Sequence, residues 1–224
     1  MADRLTARRG RFVRRLLLVL LPSLLAAIYY GLFAADQYVS ETRFIVRDAA
    51  DQPAASGMAQ LAAQTRANDA ALVLRDYLLS RDAMHQVAST IDLRRAWAGV
   101  ARDPLTRFPA GGTDEALYGR YADRVSVLVG SSSGVVTLKV RAFAPGDAMQ
   151  IASRLLVLGG ETVKRLSDDG HLALIVLVAP NLPDQPAVPR RLQIILTILG
   201  FNLIFVAMAW LVGTGLREHA AKDQ

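Results

Sequence analysis

Two long apolar runs, one near each end, limit what this 224-residue chain can fold into. Leu16 to Ala35 (LLLVLLPSLLAAIYYGLFAA) and Leu192 to Leu216 contain no charged residue. At about 1.5 Å rise per residue, each is long enough as a helix to cross the roughly 30 Å hydrocarbon core of a bilayer. A cleaved signal peptide is the rival for the first run, because arginines precede it and Ala34 and Ala35 are small. The run exceeds a usual signal core of ~7 to 15 residues, and a strand-like segment starts at Tyr38 with no cleavage spacer. Retention is therefore the expectation.

Charge sets the direction. Arg4, Arg8, Arg9, Arg11, Arg14 and Arg15 stand before the first run, opposed only by Asp3, which predicts a cytoplasmic N-terminus. Two spans return the C-terminus to that side, where Arg217 and Lys222 sit, although Arg190 and Arg191 flank the second span on the outside. The expected organisation is a basic segment 1–15, a span 16–35, a folded domain 36–179 beyond the membrane, a proline-rich segment 180–191, a second span 192–216 and a tail 217–224. The short tail predicts no attached kinase. Much of the net charge of +6 lies in the arginine cluster before the first span, where it suits anionic lipid headgroups, so membrane lipid is expected as a partner and nucleic acid is not. Zero cysteines exclude a disulfide framework, a thiolate metal site and a cysteine nucleophile.

Between the runs, Tyr38 to Arg47 (YVSETRFIVR) puts Tyr38, Phe44 and Val46 on one face and Glu41, Arg43 and Arg47 on the other, a half-buried strand. Asp48 to Asn68 is rich in Ala, Gln, Ser and Gly with Pro53 and Gly57 and reads as a linker with a possible weak helix and no packed core. Leu72, Val73, Tyr77 and Leu78, then Met84, Val87, Ala88 and Ile91, recur at helical spacing over 69–79 and 81–91. Thr113 is placed to cap another helix. The period then becomes two: Val125, Val127 and Val129, a turn at Gly130 to Gly134, and Val136, Leu138, Val140 and Ala142 predict a hairpin with a five-residue loop. Pro145 opens a helix with Ala148, Ile151, Ala152, Leu155, Val163 and Leu166 on one stripe, and Gly170 stops it. Leu172 to Val178 (LALIVLV) is too short to span a membrane and reads as a central strand buried on both faces. Pro180, Pro183, Pro186 and Pro189 recur every third residue, the period of a polyproline II strut leading into the second span. The fold class is membrane α+β: two transmembrane helices flanking a domain with a small mixed sheet, in the order β-α-α-α-β-β-α-β.

Chemistry is sparse. His85, His171 and His219 are the only histidines, and no pair has metal-ligand spacing. Asp168 with Asp169, and Asp114 with Glu115, sit at a turn and a helix start, where solvation and the helix dipole account for them better than acid–base work. Gly130 to Gly134 joins two strands and opens no helix, so it makes a hairpin loop rather than a phosphate cradle. No catalytic residue, metal site or cofactor is expected, and the chain reads as no enzyme. Ala27, Gly31 and Ala35 in the first span, with Ala209 and Gly213 in the second, recur every four residues and predict close helix packing. Asn202 is expected to hydrogen-bond across helices. Tyr29, Tyr30 and Trp210 suit membrane interfaces. Arg43, Arg47, Arg190 and Arg191 are expected together near the outer membrane surface, where an acidic glycan, lipid phosphate or water would each suit them.

The order span, strand, helices, hairpin, long helix, strand, proline segment, span resembles the polysaccharide co-polymerase family, and within it the inner-membrane proteins of capsule polysaccharide export. YVSETRFIVR (38–47), YLLSRDA (77–83), DPLTRFP (103–109), GVVTLKVRA (134–142), PDQPAVPRR (183–191) and REH (217–219) carry the resemblance. It implies a two-pass protein of the bacterial inner membrane with a periplasmic domain, forming a homo-oligomer beside ABC transporter subunits, bridging to an outer-membrane polysaccharide export protein and contacting the polysaccharide. A chain-length determinant for lipopolysaccharide O-antigen shares the architecture and stays open, as does a truncated, inactive paralogue. One departure is large: related proteins carry a long helical hairpin where this chain has only Ser167 to His171. Lys164 also stands where the resemblance leads to Asn.

Overall fold

The computed structural model describes residues 21–48, 57–99, 103, 111–130, 133–167 and 171–222. Two compact units divide the chain: Ala35–Ala187, and the two ends taken together, Met1–Ala34 with Val188–Gln224.

The Ala35–Ala187 unit is built on a four-stranded sheet in the order β2-β3-β1-β4. Strand β1 (Tyr38–Asp48) lies inside it, antiparallel to β3 (Val135–Ala142) on one side and to β4 (Leu172–Val178) on the other, and β2 (Val125–Val129) pairs antiparallel with β3. The expectation of a mixed sheet is thus corrected: every pairing is antiparallel. The physical reason lies in the connections. A hairpin reverses the chain between β2 and β3, and helix α6 (Pro145–Leu166) crosses the inner face before β4 returns beside β1.

Alternation sorts the two faces. Thr42, Phe44 and Val46 on β1, Val136, Leu138 and Val140 on β3, and Val125 and Val127 on β2 are buried inward. Helices α2 (Gly57–Leu78) and α6 cover them with Ala70, Ala71, Leu74 and Leu78, and with Ile151, Ala152, Leu155 and Leu158. The α6 stripe is the one the sequence predicts, except that Leu166 is exposed at the last turn. Two expectations about α2 fail. The helix begins at Gly57, inside the stretch read as a linker, and buries Ala63 completely; its core side is Ala70, Ala71 and Leu74, while Leu72 and Val73 face solvent. Small alanines let the helix lie close to the sheet, so the larger pair turns outward.

Caps account for the other starts. The Ser80 hydroxyl accepts from the Ala83 amide at the head of α3 (Arg81–Ala88), Asp92 from Arg95 at the single turn α4 (Leu93–Ala96), and Thr113 from Ala116 at α5 (Asp114–Arg124). Among the described residues, four helical pieces therefore separate β1 from β2, not three. The hairpin loop has the predicted bounds, and Gly134 takes φ +62°, a left-handed conformation suited to glycine.

Strand β4 overturns the central-strand reading. It is an edge strand, and Ile175, Val176, Leu177 and Val178 are 43–51% exposed. An unbroken apolar run has no period to tell burial by its own chain from an edge left open.

In the other unit, helix α1 (Leu21–Phe33) ends in a π-helical turn, Tyr29–Phe33, and helix α7 (Arg191–Lys222) follows the proline segment. Among the described residues one window, Arg191–Met208, is long and apolar enough to cross a membrane, and none of it is fully buried by protein. The expected start of the first span at Leu16 lies outside the described residues, as do Asp168, Asp169 and Gly170.

Candidate functional site

The sheet's lower edge is closed by an unusual strap. Beyond Val178 the chain turns along the first half of β1, where a regular ladder fails because Pro180 and Pro183 have no N–H to give. Side chains supply the missing bonds. The Thr42 hydroxyl donates to the Val178 carbonyl at 2.7 Å, and the Ser40 hydroxyl to the Asn181 carbonyl at 2.8 Å. The Glu41 amide donates to Asn181 Oδ1 at 2.8 Å, and the Ala187 amide to the Gln37 carbonyl at 2.9 Å. Ser40 and Thr42 are fully buried, so these bonds also satisfy polar groups that would otherwise destabilise the fold. Both ends of the domain, Gln37 and Ala187, consequently meet.

On the outer face Glu41 is held between two cations. Arg43 reaches its Oε1 at 2.7 Å, and Lys139, its cross-strand partner, reaches Oε2 at 3.1 Å. Burial works against the charge, but the bonds to Arg43 and Lys139 outweigh it and hold the carboxyl below its usual range. Arg43 and Arg47 are not gathered at the end of the domain where Gln37 meets Ala187. Arg47 pairs with Ala173 nine residues beyond Tyr38, roughly 30 Å at strand rise.

A second polar cluster lies under that same end. Asp103, almost completely buried, accepts the Ala35 amide at 2.9 Å. Trp97 donates its indole N–H to the Arg141 carbonyl at 3.1 Å and meets Tyr121 edge-on, while the Tyr121 hydroxyl donates to the Leu78 carbonyl. Arg124 is buried with its guanidinium 4.6 Å over the Phe143 ring, and its Nη1 has no hydrogen-bond partner. Burial, aided by Arg120 and Arg141, pulls its pKa down to about 10. None of Trp97, Asp103, Arg124 or Asn181 is signalled locally in the sequence, except that Asn181 is a lone amide among prolines.

In the unit formed by the chain ends, Asn202 Nδ2 donates to Ser23 Oγ at 2.6 Å, and Arg191 donates through Nη2 to the Ala34 carbonyl at 3.2 Å. Of the small residues predicted to pack, Ala27 is half-exposed and Gly31 exposed, with nothing within 4 Å of where a Cβ would sit. Ala35 lies beyond the helix, which ends at Phe33, so the spacing from Gly31 to Ala35 does not continue on a helical face. The side chains of Ala209, Trp210 and Gly213 lie outside the described residues. Pro186 and Arg190 are exposed, whereas Pro183 and Pro189 are half-buried.

No group of three His, Cys, Asp or Glu comes together among the described residues. His85 and His171 are exposed on separate elements. The acidic pair at the start of α5 is bound by arginines, Asp114 to Arg94 at 2.6 Å and Glu115 to Arg81 at 2.5 Å.

No family model matches the chain. It is 38% identical over 158 residues, 68% of its length, to the capsule polysaccharide export inner-membrane protein BexC of Haemophilus influenzae, covering 42% of that protein. It is 27% identical over 177 residues to CtrB of Neisseria meningitidis serogroup A, covering 75% of the chain and 46% of the relative. It is 23% identical over 143 residues to KpsE of Escherichia coli, covering 62% and 37%, and both of these relatives carry the same descriptive name. The chain thus spans less than half the length of the curated relatives it matches. Those matches, together with the motifs that order the domain, make the chain a member of the capsule polysaccharide export inner-membrane protein family.

Proposed function

We propose that this chain is an oligomeric scaffold of capsular polysaccharide export in the bacterial inner membrane. It crosses the bilayer twice through the segments 16–35 and 192–216, keeps both termini in the cytoplasm and holds the Ala35–Ala187 domain in the periplasm. There it works beside ABC transporter subunits and an outer-membrane export protein, and it makes and breaks no bond itself. The single observation that carries this reading is the 158-residue match to BexC at 38% identity.

The mechanism is positional. The strap supports it: Pro180, Pro183 and Pro186 restrict the backbone, and Asn181 is bound to β1 at two points, so the connections to both apolar segments move as one piece. Asn202 against Ser23 joins the two helices by a polar bond that lipid cannot replace. Deleting the gene is expected to abolish surface capsule while polysaccharide is still made inside the cell, and the full chain is expected to restore it. Unchanged surface capsule in the deletion strain would sink the proposal.

One observation favours a second reading. Helix α6 ends at Leu166 and β4 starts at Leu172, which leaves no arm between them to reach across the periplasm. The short connection favours a chain-length determinant for O-antigen, which shares the architecture. Sizing both glycans from the deletion strain separates the two: altered O-antigen length with normal capsule selects the determinant, and no change in either selects an inactive paralogue.

A further inference from the structure

The sheet leaves β2 and β4 as its two edges, and three features of those edges belong together. Among the described residues, the large hydrophobic side chains left exposed on the sheet fall only there. They are Leu128 on β2, 59% exposed, and Ile175 to Val178 on β4; the inner strands β1 and β3 have none. Neither edge strand, moreover, carries a proline or a charge. LALIVLV contains no proline and no charge, whereas the strap that prolongs this side of the sheet carries Pro180, Pro183 and Pro186, which cannot donate to an incoming strand. The third feature is direction. Alternating antiparallel pairings across four strands make β2 and β4 run opposite ways.

We propose that the domain binds a second copy of its own chain edge to edge, with β4 of one copy antiparallel to β2 of the next. A copy in the same orientation offers β2 running against β4, so the ladder continues without a break in its pattern. On the outer face Leu128 then meets the Ala173–Ile175 side, and on the inner face Val127 and Val129 meet Leu174 and Val176. Both edges lose their exposed hydrophobic side chains together.

The alternative of β4 against β4 is two-fold, and its axis lies perpendicular to the strands. It would turn the Gln37–Ala187 ends of the two copies in opposite directions. Choosing β2 as the partner rests on the two-span reading above, because both ends must then face one bilayer. Head-to-tail contacts of this kind close into a ring when the rotation between copies allows it.

The chain has no cysteine, so Leu128→Cys and Ile175→Cys each introduce a unique thiol at an exposed position. Differently tagged full chains carrying one substitution each are co-expressed and treated in native membranes with a short bis-maleimide. The expected product joins residue 128 of one copy to residue 175 of the other, with no 175–175 or 128–128 product. Leu128→Lys, at a position too exposed to unfold the domain, puts a charge on the β2 edge and is expected to reduce particle size in mild detergent. A 175–175 product in place of 128–175 overturns the head-to-tail arrangement. Reaction of Ile175→Cys with a lipid-soluble maleimide but not a water-soluble one places β4 against lipid and also overturns it. An oligomer of unchanged particle size in Leu128→Lys overturns the edge proposal and leaves the export role standing, whereas a 128–175 product in a strain whose capsule never depended on the gene does the reverse.

Discussion

Helices α6 and α7 are both long and both rich in aliphatic residues, yet they solve opposite problems. In α6 the apolar residues form one stripe, and Ala148, Ile151, Ala152, Leu155, Leu158 and Val163 vanish against the sheet and α2. In α7 they surround the helix: Leu192, Leu196, Phe201, Leu203, Ile204, Phe205, Met208 and Leu211 are all more than half exposed. A helix apolar all round, with most of its large side chains left more than half exposed, needs an apolar solvent. The same side-chain chemistry is thus stabilised by packing in one helix and by the proposed bilayer in the other. Substitutions of one kind should read differently in each.

The largest difference is expected for leucine truncation. Leu155→Ala opens a cavity between α6 and the sheet and should lower domain stability by about 2–5 kcal/mol. Leu203→Ala removes the same atoms from a largely exposed position and should leave the domain within about 0.5 kcal/mol. Thermal or urea unfolding of the full chain in detergent, followed by Trp97 fluorescence, measures both. Equal losses would mean that α7 is packed against protein and that the contrast is false.

The same contrast explains what the sequence reveals. The stripe of α6 and the alternation of β2 and β3 are legible because one wall of each is protein, and a one-sided environment leaves a period. The Thr113 cap and the Pro145 start are legible because they satisfy local backbone groups. Helix α2 is not, because its buried side is made of alanines that carry little hydrophobic contrast. Strand β4 is misread because an unbroken apolar run carries no period, and its place at the edge follows from the non-local order of the sheet. Asn181, Asp103 and Trp97 bind partners 44 to 141 residues away, and no local pattern encodes such contacts. The antiparallel sense of the sheet belongs to the path of α6 and is equally non-local.

Polar ties sharpen the comparison at lower energy. Trp97→Phe keeps most of the ring but strands the Arg141 carbonyl, and should reduce domain stability by about 1–3 kcal/mol. Its readout is the melting temperature with refolding kinetics as a control, using tyrosine fluorescence or circular dichroism since the principal tryptophan is gone. Asn202→Leu breaks the bond to Ser23 between the apolar helices, where such bonds average about 0.6 kcal/mol. It should leave the domain melt untouched and weaken only crosslinking between Ala27→Cys and cysteines placed on α7, with Ser23 kept. A domain melt that follows Asn202→Leu would show that the two regions are energetically one.

The smallest effect has a sign that only the domain supplies. Glu41 sits between Arg43 and Lys139 with its carboxyl held below the usual range, so the folded state favours the charged form. A carboxyl lowered on folding adds stability above its unfolded pKa of about 4.3, and that stability is lost as pH falls through the lower folded value. Glu41→Gln should therefore be less stable than the parent by a few tenths of a kcal/mol at pH 7, as expected for a half-exposed ion pair, and the gap should close below about pH 4. A gap that widens on acidification would mean that the protonated carboxyl is the form the sheet prefers. A gap that is constant with pH would assign Glu41 a packing role alone, and the outer face of the sheet would then owe nothing to its charges.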